Sequence, residues 1–402
     1  MLAATLWLAF FEAELVHAQP GLAKRGPVKL TAAALKIHRE ALLIDGHNDL
    51  PYQYRSHNDF SFRSFDIARP QPKLHTDIAR LRKGGVGAQF WSAYVDAKSK
   101  APVKETLEQI DIIHRLVKAY PDTFAMAYTA DDIVRIRKAG KIASLIGVEG
   151  GHSIDNSLGV LRTLHALGAR YLTLTHTDNL AWADSATDEP RHKGLTAFGE
   201  SVVAEMNRLG MLVDISHVSA DTMRHVLKAA RAPVIASHSS AFALAPHPRN
   251  VPDDVLKLVA KNGGVVMVNF YSGFITKEGA RLLPEMFKTY REYKTRFPKE
   301  REFKEAWAIW KRDHPLPTGT IHDVVDHIEH IIKVAGIDHV GIGSDYDGIN
   351  TCPRQLEDVS CYPYITQELL NRGHSRETIH KVLGGNTLRV MRAAERVAKE
   401  WK

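Results

Sequence analysis

From residue 41 onward the chain repeats one alternation: a short, nearly continuous apolar run, then a longer stretch whose apolar positions recur every third or fourth residue. The runs are "ALLIDGH" from 41, "VGAQFWSAYV" from 86, "ASLIGVEG" from 143, "ARYLTLTHT" from 169, "MLVDISH" from 211, "PVIASHS" from 233, "GGVVMVNF" from 263 and "HVGIGSD" from 339. A run without polar alternation predicts a strand buried on both faces, as in a parallel sheet covered by helices. The intervening stretches predict those helices. In residues 219–230, Ser219 is placed to cap, and Met223, Val226, Leu227 and Ala230 share one face. Pro233 then stops the helix and opens the next strand.

Eight strand–helix units are the number that closes a (β/α)8 TIM-type barrel of the α/β class. An open doubly wound sheet would carry G-x-G-x-x-G after its first strand, and the first run ends instead in "DGHNDLP" at 45–51. The connection between the seventh and eighth strands, residues 272–319, is long, charged and aromatic. It is expected to be a helical insertion that acts as a lid, as a subunit contact in a homodimer, or as both.

Composition narrows the picture. With 402 residues and 44% apolar content the chain can bury a large core, and residues 19–402 read as one domain. The net charge of +7 comes from scattered Lys and Arg rather than a stripe, so no nucleic-acid partner is expected. The opening "MLAATLWLAFFEAELVHAQPG" reads as a signal peptide cut after Ala18, which predicts a periplasmic or secreted protein. Glu12 and Glu14 interrupt its apolar stretch, and the alternative is an ordinary amphipathic helix in a cytoplasmic one. No later stretch reaches the ~20 apolar residues of a spanning helix. The C-terminal "AAERVAKEWK" is too polar for a lipid-anchor signal, so no stable membrane anchor is expected. Cys352 and Cys361 are too few for a thiolate zinc site. In an exported chain they predict a small disulfide, and otherwise two loop thiols.

Histidine is the unusual count, at 21, and its placement matters more than its number. Active sites of such barrels form at the carboxyl ends of the strands. The first run ends in His47 and Asp49, the third in Glu149 followed by His152, the fifth in His217, the sixth in His238 and the eighth in Asp345. On an extended backbone His47 and Asp49 point the same way and can reach one ion. Nitrogen and oxygen donors of this kind suit zinc and its neighbours. With Glu149 bridging, His47 and Asp49 complete one ion's ligands and His217 and His238 the other's. Two such ions, ~3.5–4 Å apart, hold a shared hydroxide and polarise a carbonyl, which suits amide hydrolysis.

The motifs "DGHNDLP", "GVEGGH", "DISHVS", "ASHSSA", "HPRNVPDD", "GIGSDYDG" and "LGGNTLRVM", in that order, resemble the membrane (renal-type) dipeptidase family of the amidohydrolase superfamily. The resemblance runs from about residue 33 to the C-terminus. It implies a binuclear zinc barrel with His47, Asp49, Glu149, His217 and His238 as ligands, acting on small dipeptides, including those with a C-terminal D-residue. It also implies that His152 and Arg249 contact substrate, Arg249 meeting its carboxylate, and that Asp345 handles a proton. Animal members carry several disulfides and a lipid-anchor tail; this chain resembles a bacterial-type member. His176 and Asn179, after the fourth run, are expected to line the pocket and Asn179 to bind substrate. His225 and His327, on predicted helices, are expected at the surface.

Taken without the resemblance, several of these residues have plainer readings. His152 could cap a helix beginning near Asp155, Arg249 could be a solvated loop arginine, and "DYDG" could be a turn in which Asp347 competes with Asp345. Two rival functions remain. One is an amidohydrolase acting on a cyclic amide or a base; many of those bridge their metals with a carboxylated lysine on the fourth strand, where "YLTLTHT" has none. The other is a barrel that binds a ligand without hydrolysis.

Overall fold

Leu43 and Ile44 are neighbours on the first strand and both fully buried, yet they belong to different hydrophobic clusters. The same split divides Trp91 from Phe90, Ile146 from Leu145, Leu172 from Tyr171, Val213 from Leu212 and Val266 from Met267. Successive strand side chains point to opposite faces, so a strand buried on both must feed two cores. One core fills the ring of strands; the other lies between strands and helices, where Ile113, Leu164, Met206, Val226, Val259 and Ile328 meet it.

The computed structural model describes residues 25–57, 62 and 65–401. Its strands are β1 (Leu43–Asn48), β2 (Val86–Tyr94), β3 (Phe124–Met126), β4 (Ile142–Glu149), β5 (Ala169–Thr173), β6 (Leu212–Asp214), β7 (Ile235–Ala236), β8 (Val265–Val268) and β9 (Val340–Ile342). All pair in parallel, and the β2–β4 and β1–β9 pairings close eight of them into a barrel. Those eight are the predicted runs. The ninth, β3, pairs only with the first residues of β4; three residues are too few to show a period.

Ser219 caps Ala220–Ala229 as predicted, accepting from the Thr222 N–H. Between β8 and β9 the insertion forms Ser272–Ile275, Lys277–Arg296 and Glu300–Asp313, after which Ile321–Ala335 covers the barrel. The two long inserted helices carry their own aromatic packing: the Tyr290 ring lies 5.2 Å from those of both Phe303 and Trp307, and Trp307 stacks on Trp310 at 5.1 Å. No helix among the described residues is long and apolar enough to cross a membrane. The expected signal peptide, residues 1–18, lies outside the described residues.

Two expectations are corrected. Cys352 and Cys361 are free thiols; Cys352 Sγ lies 3.5 Å from His75 Nε2, while Cys361 Sγ faces Glu357 at 3.7 Å. His327 is buried rather than superficial, because both ring nitrogens have backbone partners: Nδ1 accepts the Ala241 N–H at 2.9 Å and Nε2 donates to the Ile275 carbonyl at 3.1 Å. His225 is half-buried, accepting the Leu195 N–H and facing Glu200.

Candidate metal centre

Parallel pairing continues past the last residues of β1 and β9, and this is what gathers the rim. The Asp345 N–H donates to the His47 carbonyl at 3.1 Å and the Asp49 N–H to the Tyr346 carbonyl at 2.9 Å. His47, Asp49 and Asp345 therefore share one edge of the barrel mouth. Glu149 ends β4, and His217 and His238 follow β6 and β7. His217, Asp345 and Asp347 hold φ of +67°, +67° and +65°. Non-glycine residues rarely adopt that region, and such backbone concentrates at functional sites.

The two oxygens of Glu149 face different donors. Oε2 lies 3.4 Å from His47 Nε2, which is 3.2 Å from Asp49 Oδ2. Oε1 lies 3.2 Å from His217 Nε2 and 3.4 Å from His238 Nε2, and those two nitrogens are 2.9 Å apart. Three groups of potential ligands result: His47, Glu149 and His238; Glu149, His176 and His217; and His47, Asp49 and Asp345. All five ligands expected from the sequence are buried. Gly348 leaves the room they need: a Cβ there would sit 2.2 Å from Asp49 Oδ2 and 2.7 Å from Asp345 Oδ1.

The donors fit divalent cations. His47 Nε2 is buried, faces two carboxylates and has no hydrogen-bond partner among the described residues. Burial, then Arg249, holds His217 well below the usual imidazole range; burial, then His47, does the same for His238. Both rings stay neutral, the form that binds metal. Glu149 is held well below the usual carboxylate range, since His47 and bonds from His217 and His238 outweigh the burial that opposes its charge. Burial, opposed by His47 but reinforced by Asp49 and Glu149, pushes Asp345 up to about 8. Carboxylates this close, in so little water, call for a compensating positive charge.

Among the remaining expected site residues the structure discriminates. Arg249 is only 3% exposed and makes no ion pair among the described residues. Its guanidinium reaches Ser239 Oγ and the His238 carbonyl, each at 3.3 Å, and lies over the Phe274 ring at 5.3 Å, leaving Nε unpaired. Burial lowers its pKa to about 10, so it remains charged. Of the two aspartates in "DYDG", Asp345 joins the ligand groups and accepts from Asn269 Nδ2 at 2.8 Å. Asp347 turns away to accept the His75 N–H at 2.7 Å.

His152 does not cap the next helix, Leu158–Ala166, which Ser157 caps. Its Nε2 donates to the Val95 carbonyl at 3.0 Å. Asn179 spends its side chain on its own loop, accepting from the Ser185 N–H and donating to the Glu189 carbonyl. His176, expected only as pocket lining, comes closer to the centre: its Nε2 is 3.8 Å from Glu149 Oε1 and its ring stacks on His217 at 4.3 Å. It ends an apolar run as the other site residues do, and so does Asn269, which the sequence reading passed over.

A closed parallel barrel whose strand ends present two donor sets sharing one glutamate defines a binuclear metal-dependent hydrolase. The chain belongs to the membrane dipeptidase family, peptidase family M19, whose sequence profile matches residues 31–402. Solved structures agree. The probable dipeptidase PvdM from Pseudomonas aeruginosa superposes with a TM-score of 0.80 at 25% identity, covering 91% of this chain and 98% of that one. A metallo peptidase from Rhodobacter sphaeroides, liganded with a phosphinate mimic of the dipeptide L-Ala-D-Ala, shares the fold with a TM-score of 0.73 at 22% identity over 88% of this chain and 99% of that one. An amidohydrolase from Pseudomonas aeruginosa gives 0.69 at 24% identity over 90% and 98%.

Proposed function

We propose that this protein hydrolyses the single peptide bond of short dipeptides, including those with a C-terminal D-residue, using two zinc ions. His47, Asp49 and Glu149 would hold one ion, and Glu149, His217 and His238 the other. The observation that carries this reading is Glu149, whose two carboxylate oxygens face two separate donor sets. When bound, the ions supply a nucleophile from water at neutral pH and polarise the scissile carbonyl.

The chain's own residues do the rest. Arg249 binds the substrate's free carboxylate, a role supported by its burial as a charged group with no ion pair among the described residues. Asp345, steadied by Asn269 and ionised once positive charge fills the site beside it, takes a proton during attack and returns it to the leaving nitrogen. His152, its ring fixed by the Nε2–H bond to Val95 and its Nδ1 without a partner among the described residues, contacts substrate, and His176, which faces Glu149, lines the pocket beside it. Asn179 serves that pocket indirectly, by shaping the loop that follows His176.

Metal analysis of the purified protein, with turnover of L,L- and L,D-dipeptides and of cyclic amides, tests this reading. Two ions and dipeptide turnover are expected. Turnover of cyclic amides alone would move the protein to another amidohydrolase activity, and neither metal nor turnover would leave a ligand-binding barrel. We extend the proposal to export with cleavage after Ala18, a mature single domain of 19–402, and a homodimer. N-terminal sequencing of the exported protein and light scattering check these.

A further inference from the structure

Tyr171 is fully buried on β5, inside the ring of strands, and its hydroxyl lies 2.8 Å from His47 Nδ1 and 3.2 Å from the Gly46 carbonyl. A buried hydroxyl without partners is costly, so a position that needed only ring volume would hold phenylalanine. Space is also kept for this ring. A Cβ on Gly147 would fall 1.9 Å from Tyr171 Cζ, so only glycine, two residues before Glu149 on β4, lets the phenol lie where it does.

We infer that Tyr171 is a positioning residue that fixes His47 in the tautomer and orientation required to bind the first ion; the inference rests on the two-metal reading above. To give a cation the lone pair of Nε2, His47 must carry its hydrogen on Nδ1. The phenol oxygen accepts that hydrogen, and its own turns to the Gly46 carbonyl, which can only accept. The chain Nδ1–H to Oη–H to carbonyl is therefore complete in one direction. It aims Nε2 between Asp49 and Glu149.

The second ion's histidines are held differently. His238 Nδ1 meets Ser237 Oγ at 2.8 Å, and that hydroxyl donates to Asp214 at 2.6 Å; His217 Nδ1 has no partner among the described residues. Each donor set thus has one externally oriented histidine, through a phenol in one case and a serine–carboxylate relay in the other. Removing one relay should weaken one ion and spare its neighbour.

The test is metal affinity, read by competition with a chromophoric chelator and by the absorption of the cobalt-loaded protein. Tyr171→Phe keeps the ring and removes only the hydroxyl. It should weaken one of the two ions ~10–100-fold, the usual effect of losing a partner to a ligating histidine, and leave the other at wild-type affinity. Ser237→Ala should weaken the opposite ion, giving a different cobalt spectrum at half loading. Gly147→Ala, which displaces the ring without removing the hydroxyl, should repeat the Tyr171→Phe pattern and serves if that variant does not fold. Two ions at wild-type affinity in Tyr171→Phe, or equal loss of both, would overturn the inference. Wild-type protein that binds fewer than two ions would instead overturn the two-metal reading.

Discussion

Glu149 is the residue on which the two donor sets depend. Glu149→Gln replaces a shared carboxylate by a neutral amide, a poorer bridge between two dications. Metal analysis should find one ion or none, and two ions at native affinity would remove the bridge. Arg249→Ala removes a buried cation whose charge-assisted bond to a carboxylate is worth roughly 1.5–3 kcal/mol. KM for dipeptides should rise about tenfold or more, while a substrate with a blocked C-terminus changes little. Equal losses on both substrates would place Arg249 outside the carboxylate contact. Asp345→Asn should keep both ions and lose roughly 10²–10⁴-fold in kcat, the range for a positioned proton carrier; near-native kcat in the metal-loaded variant would exclude that role. The five expected ligand positions could be picked out because each ends an apolar run. Which ring nitrogens of the two histidines are free could not be, since both follow a strand and only the Val95 carbonyl, 57 residues away in sequence from His152, decides that its Nε2 is occupied.

Strands and helices were more legible than side-chain directions, because burial on two faces leaves a pattern in composition that needs no partner to be read. All eight barrel strands were recovered, while β3 escaped for want of length. The helix Ile321–Ala335 shows how strongly a local signal can act. Thr320 accepts from the Asp323 N–H, and the Asp323 carboxylate reaches back to the Thr320 N–H at 2.7 Å, forming a capping box where the chain returns from the insertion. Thr320→Ala should lower stability by about 0.5–2 kcal/mol in denaturant unfolding without changing metal content. A loss below that range would mean that packing of the helix against the barrel, rather than its cap, sets where it begins.

For the molecule as a whole, buried neutral histidines predict acid sensitivity. Burial, only partly offset by the Ile275 carbonyl, lowers His327 from 6.5 to about 4. Burial and Arg249 lower His247 to about 3. In the unfolded chain both rings titrate near 6.5, so below that pH the unfolded state takes up protons that the folded state refuses. The stability held by their neutrality is full above 6.5 and falls as the pH drops toward 4, by up to about 1.4 kcal/mol per pH unit for each group. Urea unfolding of zinc-free protein from pH 7 to 4 should show this decline, and His327→Gln should flatten it. An unchanged slope in that variant would mean that carboxylates, not His327, dominate acid unfolding.

The chain's own pattern determined the number of barrel strands, the site of the insertion and the residues standing at the strand ends. Those properties follow from local periodicity, because a segment buried on both sides must be apolar whatever covers it. Tertiary structure alone decided which of these residues converge, which thiols remain free, that His327 lies inside, and that Tyr171 reaches His47 across the barrel. Such contacts join residues as far apart as 47 and 345, brought together by parallel pairing. The direction of a side chain at a strand end depends on backbone angles and partners contributed by other strands, and no local period records them.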